Sequence, residues 1–118
     1  MLSGGIMATH AVKTADFMQK ISDNDIALFD FWASWCGPCK AFAPIYEKSS
    51  EQYSDIFFGK VNVDEEQSLA AAAQIQAIPT LIITKKGKVI GKQVGALNAQ
   101  QLEQVIHAAK DYDVNKVA

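Results

Sequence analysis

An α/β domain in three layers, with four helices covering both faces of a central mixed sheet of five strands, is the fold class that this sequence predicts. Three observations lead there. The apolar period alternates along the chain between strand-like and helix-like spacing. The run Ile26–Trp32 is apolar apart from Asp30, as a strand covered on both faces should be. Two late strand-like segments flank Lys86-Gly87, a hairpin signal that makes the sheet mixed rather than parallel.

A short strand is expected around Ile6–Val12. Thr14 then caps a short helix that places Phe17 and Ile21 on one face. Ser22-Asp23-Asn24-Asp25 reads as a turn, followed by the buried strand Ile26–Trp32. From Cys36 to Tyr53 the pattern is helical, with Phe42, Ile45, Tyr46 and Tyr53 near one stripe. Pro44 sits inside that helix, removes the hydrogen bond to the carbonyl of Lys40, and should kink the axis. Ile56–Val63 is rich in β-branched and aromatic residues and reads as a strand. Asp64 opens a capping-box-like Asp-x-x-Gln, with Leu69, Ala72 and Ala73 as the helix face behind it. Thr80–Thr84 and Val89–Val94 form the hairpin. Asn98 caps the last helix, whose stripe is Leu102, Val105, Ile106 and Ala109.

The 118 residues are 49% hydrophobic and 20% charged, with net charge −2, which suits one ordinary globular domain and a monomer. All 11 basic residues are Lys, and they form no stripe. Without the bidentate Arg fork, nucleic-acid binding is a poor reading. No apolar run approaches the roughly 18 residues of a membrane span. Met1-Leu2-Ser3-Gly4-Gly5-Ile6 lacks a basic stretch followed by an apolar one, so a cytoplasmic protein is expected. Residues 1–7 read as an N-terminal extension, 8–112 as the domain and 113–118 as a frayed tail.

The 2 cysteines, Cys36 and Cys39, lie three positions apart. A loop that small constrains little of the unfolded chain, and a structural zinc site takes four ligands. His10 and His107 stand at opposite ends of the sequence and read as incidental surface residues, so no metal is expected. Reactivity becomes the leading explanation of the pair. Two thiols at this spacing close reversibly into a small ring. Cys36 stands where a helix begins, and the unpaired N–H groups and positive dipole end there favour a thiolate. Cys36 is therefore assigned as nucleophile and the more shielded Cys39 as resolving thiol. Pro38 fits the first helical turn, where its missing donor is no loss.

Asp30, set among Leu28, Phe29, Phe31 and Trp32, should be buried with a raised pKa, or else accept backbone hydrogen bonds at the strand end. Lys60 alone reads as a solvated strand charge, and Trp35 as core. Pro79 before a strand suggests a special turn; a trans bond is the statistical default.

The segment Asp30-Phe31-Trp32-Ala33-Ser34-Trp35-Cys36-Gly37-Pro38-Cys39-Lys40 resembles the active-site signature of the thioredoxin family. The resemblance continues through Ala43-Pro44, Lys60-Val61-Asn62-Val63-Asp64, Ile78-Pro79-Thr80 and Val94-Gly95-Ala96, in the family's order and spacing. Ser34, Ala77 and Thr84 depart mildly from the family pattern. The resemblance implies the thioredoxin fold and a protein-disulfide reductase that binds no cofactor beyond its redox-active Cys36–Cys39 disulfide. It implies disulfide-containing protein substrates and regeneration by an NADPH-dependent flavoprotein, thioredoxin reductase. It further implies that Asp30 relays a proton to and from Cys39, directly or through water, with Lys60 as its partner. Pro79 would be cis beside the cysteines, with the Ile78 backbone offered to an extended substrate. Trp35, Gly37, Pro38, Ile78, Gly95 and Ala96 would form a flat apolar docking surface, with Trp32 packed beneath. Rival readings are a disulfide oxidase or isomerase on the same fold, which Gly37-Pro38 disfavours, and a non-catalytic subunit of a larger complex.

Overall fold

The apolar run Ile26–Trp32 is the middle strand of a five-stranded sheet in the computed structural model, which describes residues 8–116. In chain order the elements are β1 (Thr9–Ala11), a 3₁₀ turn (Thr14–Asp16), α1 (Phe17–Asp23), β2 (Ile26–Trp32), α2 (Gly37–Gln52), β3 (Phe57–Asn62), α3 (Gln67–Ala72), β4 (Thr80–Lys85), β5 (Lys88–Val94) and α4 (Ala99–Asp111). The strands lie in the order β1-β3-β2-β4-β5. β1, β3 and β2 run parallel, whereas β4 and β5 are antiparallel to their neighbours, so the sheet is mixed as expected.

The pleat of β2 sorts its side chains between two cores. Ile26 and Leu28 pack with Phe42, Tyr46, Phe58, Leu81, Leu102 and Ile106 under α2 and α4. Ala27, Phe29 and Phe31 pack with Val12, Ile21, Val61, Leu69 and Ile82 on the opposite face. Gly59 of β3 is where the sheet is tightest. A Cβ there would lie 2.9 Å from Phe57 Cε2 and 3.0 Å from both Phe29 Cδ1 and Val12 Cγ2. The carbonyl of Gly59 also accepts the buried hydroxyl of Tyr46 at 2.8 Å, tying α2 to the sheet.

The hairpin between β4 and β5 turns on Lys86 and Gly87 alone, with φ of 50° and 83°. Positive φ at both central residues is the two-residue turn whose twist matches the strands. A register shift at Ile83/Thr84 marks a bulge in this pair. Asn98 caps α4 as its sequence suggests, in a full capping box. Its Oδ1 accepts the Gln101 N–H at 2.8 Å, and Gln101 Oε1 accepts the Asn98 N–H at 2.9 Å.

Several local expectations are corrected. Strand β1 is shorter than Ile6–Val12, and the Ile6–Met7 part of that expectation, like the extension 1–7, lies outside the described residues. Thr14 does not cap α1. Its N–H and Oγ1 both donate to Glu66 Oε1, at 2.8 and 2.9 Å, which fastens the chain before α1 to the loop before α3. Asp64 does not cap α3, whose N-cap position is Glu66. Asn62 takes the local role instead, its Oδ1 accepting the Asp64 N–H at 2.9 Å. Ala72 is exposed, and Leu69 carries the buried face of α3. Helix α2 continues through Pro44 to Gln52. Of the expected tail 113–118, residues 117–118 lie outside the described residues; in 113–116 the Lys116 N–H donates to the Asp113 carbonyl at 3.1 Å and Val114 is buried at 7% exposure.

Strand β4 extends one residue beyond the expected Thr84, to Lys85. That lysine is buried at 8% exposure, and its Nζ donates to the carbonyls of Ala109 (2.8 Å), Lys110 (2.8 Å) and Tyr112 (2.7 Å). An ammonium thereby binds three carbonyls at the negative end of α4, of which that of Ala109 also accepts the Tyr112 N–H at 3.3 Å.

Candidate active site

Strand β2 carries the chain up to Ala33, whose carbonyl accepts the Cys36 N–H at 3.2 Å and turns the backbone into α2. Cys36 is the N-cap of that helix, with extended backbone angles, and Pro38 sits in the first turn. The sulfur of Cys36 takes the place that a Ser or Asp oxygen usually holds in a cap. It accepts the Cys39 N–H at 3.2 Å, while the Cys36 carbonyl accepts the Lys40 N–H at 3.1 Å. Cys36 and Cys39 are joined as a disulfide, with their Cα atoms 5.2 Å apart.

Exposure barely distinguishes the two cysteines, at 5% for Cys36 and 3% for Cys39. Their electrostatic settings do distinguish them. The Cys36 sulfur receives a backbone donor at the positive end of the helix, which stabilises negative charge on it when the pair is reduced. Cys39 lies one turn inside and donates that bond. Both cysteines belong to one buried cluster with Ala33, against which Trp32, Val63 and Ile78 pack.

The Ile78–Pro79 peptide is cis. It brings the Ile78 carbonyl oxygen to 3.8 Å from the Cys36 sulfur, a contact rather than a hydrogen bond while that sulfur carries no proton. The turn is held on its far side by Gly95, at φ 100°, whose N–H donates to the Pro79 carbonyl at 2.8 Å. An L side chain rarely adopts that backbone angle, so glycine suits the position. Around this floor Trp35, Gly37, Pro38, Gly95 and Ala96 are exposed, Ile78 is half-buried and Pro79 is buried. Trp35 is 67% exposed, a large apolar ring standing in solvent beside the cysteines. Pro44 is not part of this grouping. It is exposed further along α2, where it lines a cleft with Ala99 and Glu103.

Asp30 is 1% exposed, and its Oδ1 has no hydrogen-bond partner. Of the two readings open from sequence, the geometry matches the buried carboxyl. Burial raises its pKa from 3.8 to about 7, with the positive charge of Lys60 pulling in the other direction. Lys60 is the register neighbour of Asp30 across the β2–β3 pair, yet it reaches the carboxyl by charge and not by contact. Its Nζ sits 4.7 Å from the centroid of the Trp32 ring, and it is absent from the ion pairs among the described residues. A long side chain that keeps its ammonium over an aromatic face stays hydrated, which a direct pair beneath the sheet surface would forbid. Tyr46, wholly buried nearby, is also pushed up, first by burial and then by the Asp30 charge.

One residue of this region was not found from sequence. The indole Nε1–H of Trp35 donates to Asp64 Oδ2 at 2.9 Å across 29 positions of chain. No local pattern signals such a pair. Among the described residues no group of three His, Cys, Asp or Glu could hold a metal ion, and no helix is long and apolar enough to cross a membrane.

The family model described as thioredoxin matches residues 8–108. "Putative thioredoxin 2" of Streptomyces coelicolor is 44% identical over 102 residues, spanning 86% of this chain and 76% of its own length. "Thioredoxin-1" of Saccharomyces cerevisiae is 41% identical over 102 residues, spanning 86% of this chain and 98% of its own. Among solved structures, the spinach chloroplast thioredoxin F superposes with a TM-score of 0.82 at 32% identity, covering 93% of this chain and 100% of that one. A mutant thioredoxin from Halobacterium salinarum gives the same TM-score, 0.82, at 32% identity, over 93% of this chain and 99% of that one. Matches of this length and identity show that the chain belongs to the thioredoxin family: it is a thiol–disulfide oxidoreductase that reduces protein disulfides as its Cys36–Cys39 pair cycles between dithiol and disulfide.

Proposed function

We propose that Cys36 is the attacking thiolate, Cys39 the resolving thiol and Asp30 the group that carries the proton between turnovers. One observation carries the assignment: the Cys36 sulfur is itself the helix cap and accepts the Cys39 N–H at 3.2 Å. In the reduced protein the Cys36 thiolate attacks one sulfur of a substrate disulfide. The substrate S–S bond breaks, a mixed disulfide forms, and the leaving thiolate takes up a proton. Cys39 then passes its proton to the Asp30 carboxylate and attacks the Cys36 sulfur. The second substrate thiolate leaves, and the Cys36–Cys39 disulfide closes. Two electrons have moved from the pair to the substrate. Asp30 fits the transfer because a carboxyl titrating at about 7 both accepts and returns a proton near neutrality.

The partners are disulfide-bearing proteins and a reductase that restores the dithiol. We infer that this reductase is the NADPH-dependent flavoprotein and that the protein works as a monomer. A reductant is useful where thiols are kept reduced, which supports a cytoplasmic setting. Trp35, Gly37, Pro38, Ile78, Gly95 and Ala96 serve as the docking surface, their mostly apolar character suiting an extended protein segment.

Reduction of insulin disulfides with NADPH and thioredoxin reductase tests the activity. In the same assay Cys39→Ser should stall as a mixed disulfide that is visible on thiol-free gels, whereas Cys36→Ser should form none. A trapped adduct on Cys36→Ser, or none on Cys39→Ser, reverses or removes the assignment.

A further inference from the structure

We infer that Asp64 is a positioning residue for protein substrates: its carboxylate holds the Trp35 indole in the orientation that docking requires. The inference rests on Trp35 belonging to the docking surface, as proposed above. At 67% exposure Trp35 has little packing to fix its rotamer. A free ring of that size loses conformational entropy when a substrate immobilises it, and the loss weakens binding. The bond from Nε1–H to Asp64 Oδ2, 2.9 Å long, orders the ring before any partner arrives.

The acceptor is itself clamped. Asn62, the last residue of β3, is the register neighbour of Trp32. Asn62 Oδ1 accepts the N–H groups of Asp64 at 2.9 Å and of Glu65 at 3.4 Å. Its carbonyl accepts those of Glu65 at 3.2 Å and Glu66 at 2.8 Å. Gln67 Nε2 donates to the Asp64 carbonyl at 3.2 Å. The carboxylate therefore projects from a loop anchored on β3, next to the strand that delivers Cys36. An indole tied to it keeps a fixed place relative to the reacting sulfur.

The test compares Asp64→Leu, which removes the acceptor, with Asp64→Asn, which keeps an oxygen at that place and removes the charge. The KM for insulin should rise about fivefold in Asp64→Leu, the scale of one net hydrogen bond, with kcat kept. Asp64→Asn should stay within about twofold of the parent protein on the same scale. In ¹⁵N spectra the Trp35 Nε1–H signal should shift upfield and exchange faster with water in Asp64→Leu only. Equal KM in Asp64→Leu and the parent overturns the inference. So does an equal rise in both variants, which assigns the effect to charge, or a fall in kcat with KM unchanged. Trp35→Ala separates the two levels. If it raises KM while Asp64→Leu does not, only the role of Asp64 fails; if it leaves KM unchanged, the docking surface fails with it.

Discussion

Replacing Asp30 by Asn should make the folded protein more stable relative to its parent as the pH rises. The cause is the carboxyl's burial, which lifts its pKa from 3.8 to about 7 at 1% exposure. Between about pH 4 and pH 7 the folded protein holds a proton that the unfolded chain has released. Folding is therefore favoured at acid pH by this group, and that advantage is lost progressively as pH rises through the window, then stays constant above it. At about 1.4 kcal/mol per pH unit, the gap between 3.8 and about 7 amounts to about 4 kcal/mol. The amide introduced by Asp30→Asn does not titrate, so the stability difference between variant and parent should grow by that order from pH 4 to pH 8. Guanidinium unfolding of both oxidised proteins at half-unit pH steps measures it, because every other titrating group cancels in the difference. A difference flat within about 1 kcal/mol means that the carboxylate is solvated in the folded state, and the desolvation reasoning fails. Turnover should slow in the same variant, since an amide cannot accept the Cys39 proton.

Two further substitutions test packing and capping. Lys85→Met should lower stability by about 2 kcal/mol, because the carbonyls of Ala109, Lys110 and Tyr112 lose their shared ammonium. Amide exchange should speed up in the last turn of α4, and an unchanged denaturation midpoint with unchanged exchange would count against the bridge. Gly59→Ala should cost about 1–3 kcal/mol, since its Cβ would press on Phe57, Phe29 and Val12 at or below 3.0 Å. A melting temperature equal to the parent's would mean that the sheet has slack at this point.

What could be read from the sequence divides along a physical line. Features fixed by neighbours in the chain were legible. The buried run of β2 shows in its apolar residues, the hairpin in Lys86-Gly87, and the α4 cap in Asn98 with Gln101 three places on. Features fixed by distant partners were not. Thr14 and Asp64 have the composition of helix caps, but Glu66 and Trp35 claim them from 52 and 29 residues away. Lys85 looks like a strand-end charge until α4 is in place above it. At the site, the cysteine pair and the burial of Asp30 follow from local composition. The cis Ile78–Pro79 bond follows only from resemblance, because chain energetics alone favour trans. Lys60 fell between the two cases: its neighbour in the sheet was foreseeable, and its perch on Trp32 was not.

The strand order β1-β3-β2-β4-β5 has a bearing on durability. The buried carboxyl of Asp30 lies on the innermost strand, and both sulfurs follow just beyond its end, at the start of α2, while each rim is a different stretch of chain. Thermal breathing begins at rims, where each strand has one neighbour to hold it. This molecule can loosen at its margins while the strand that leads into its cysteine pair stays held on both sides.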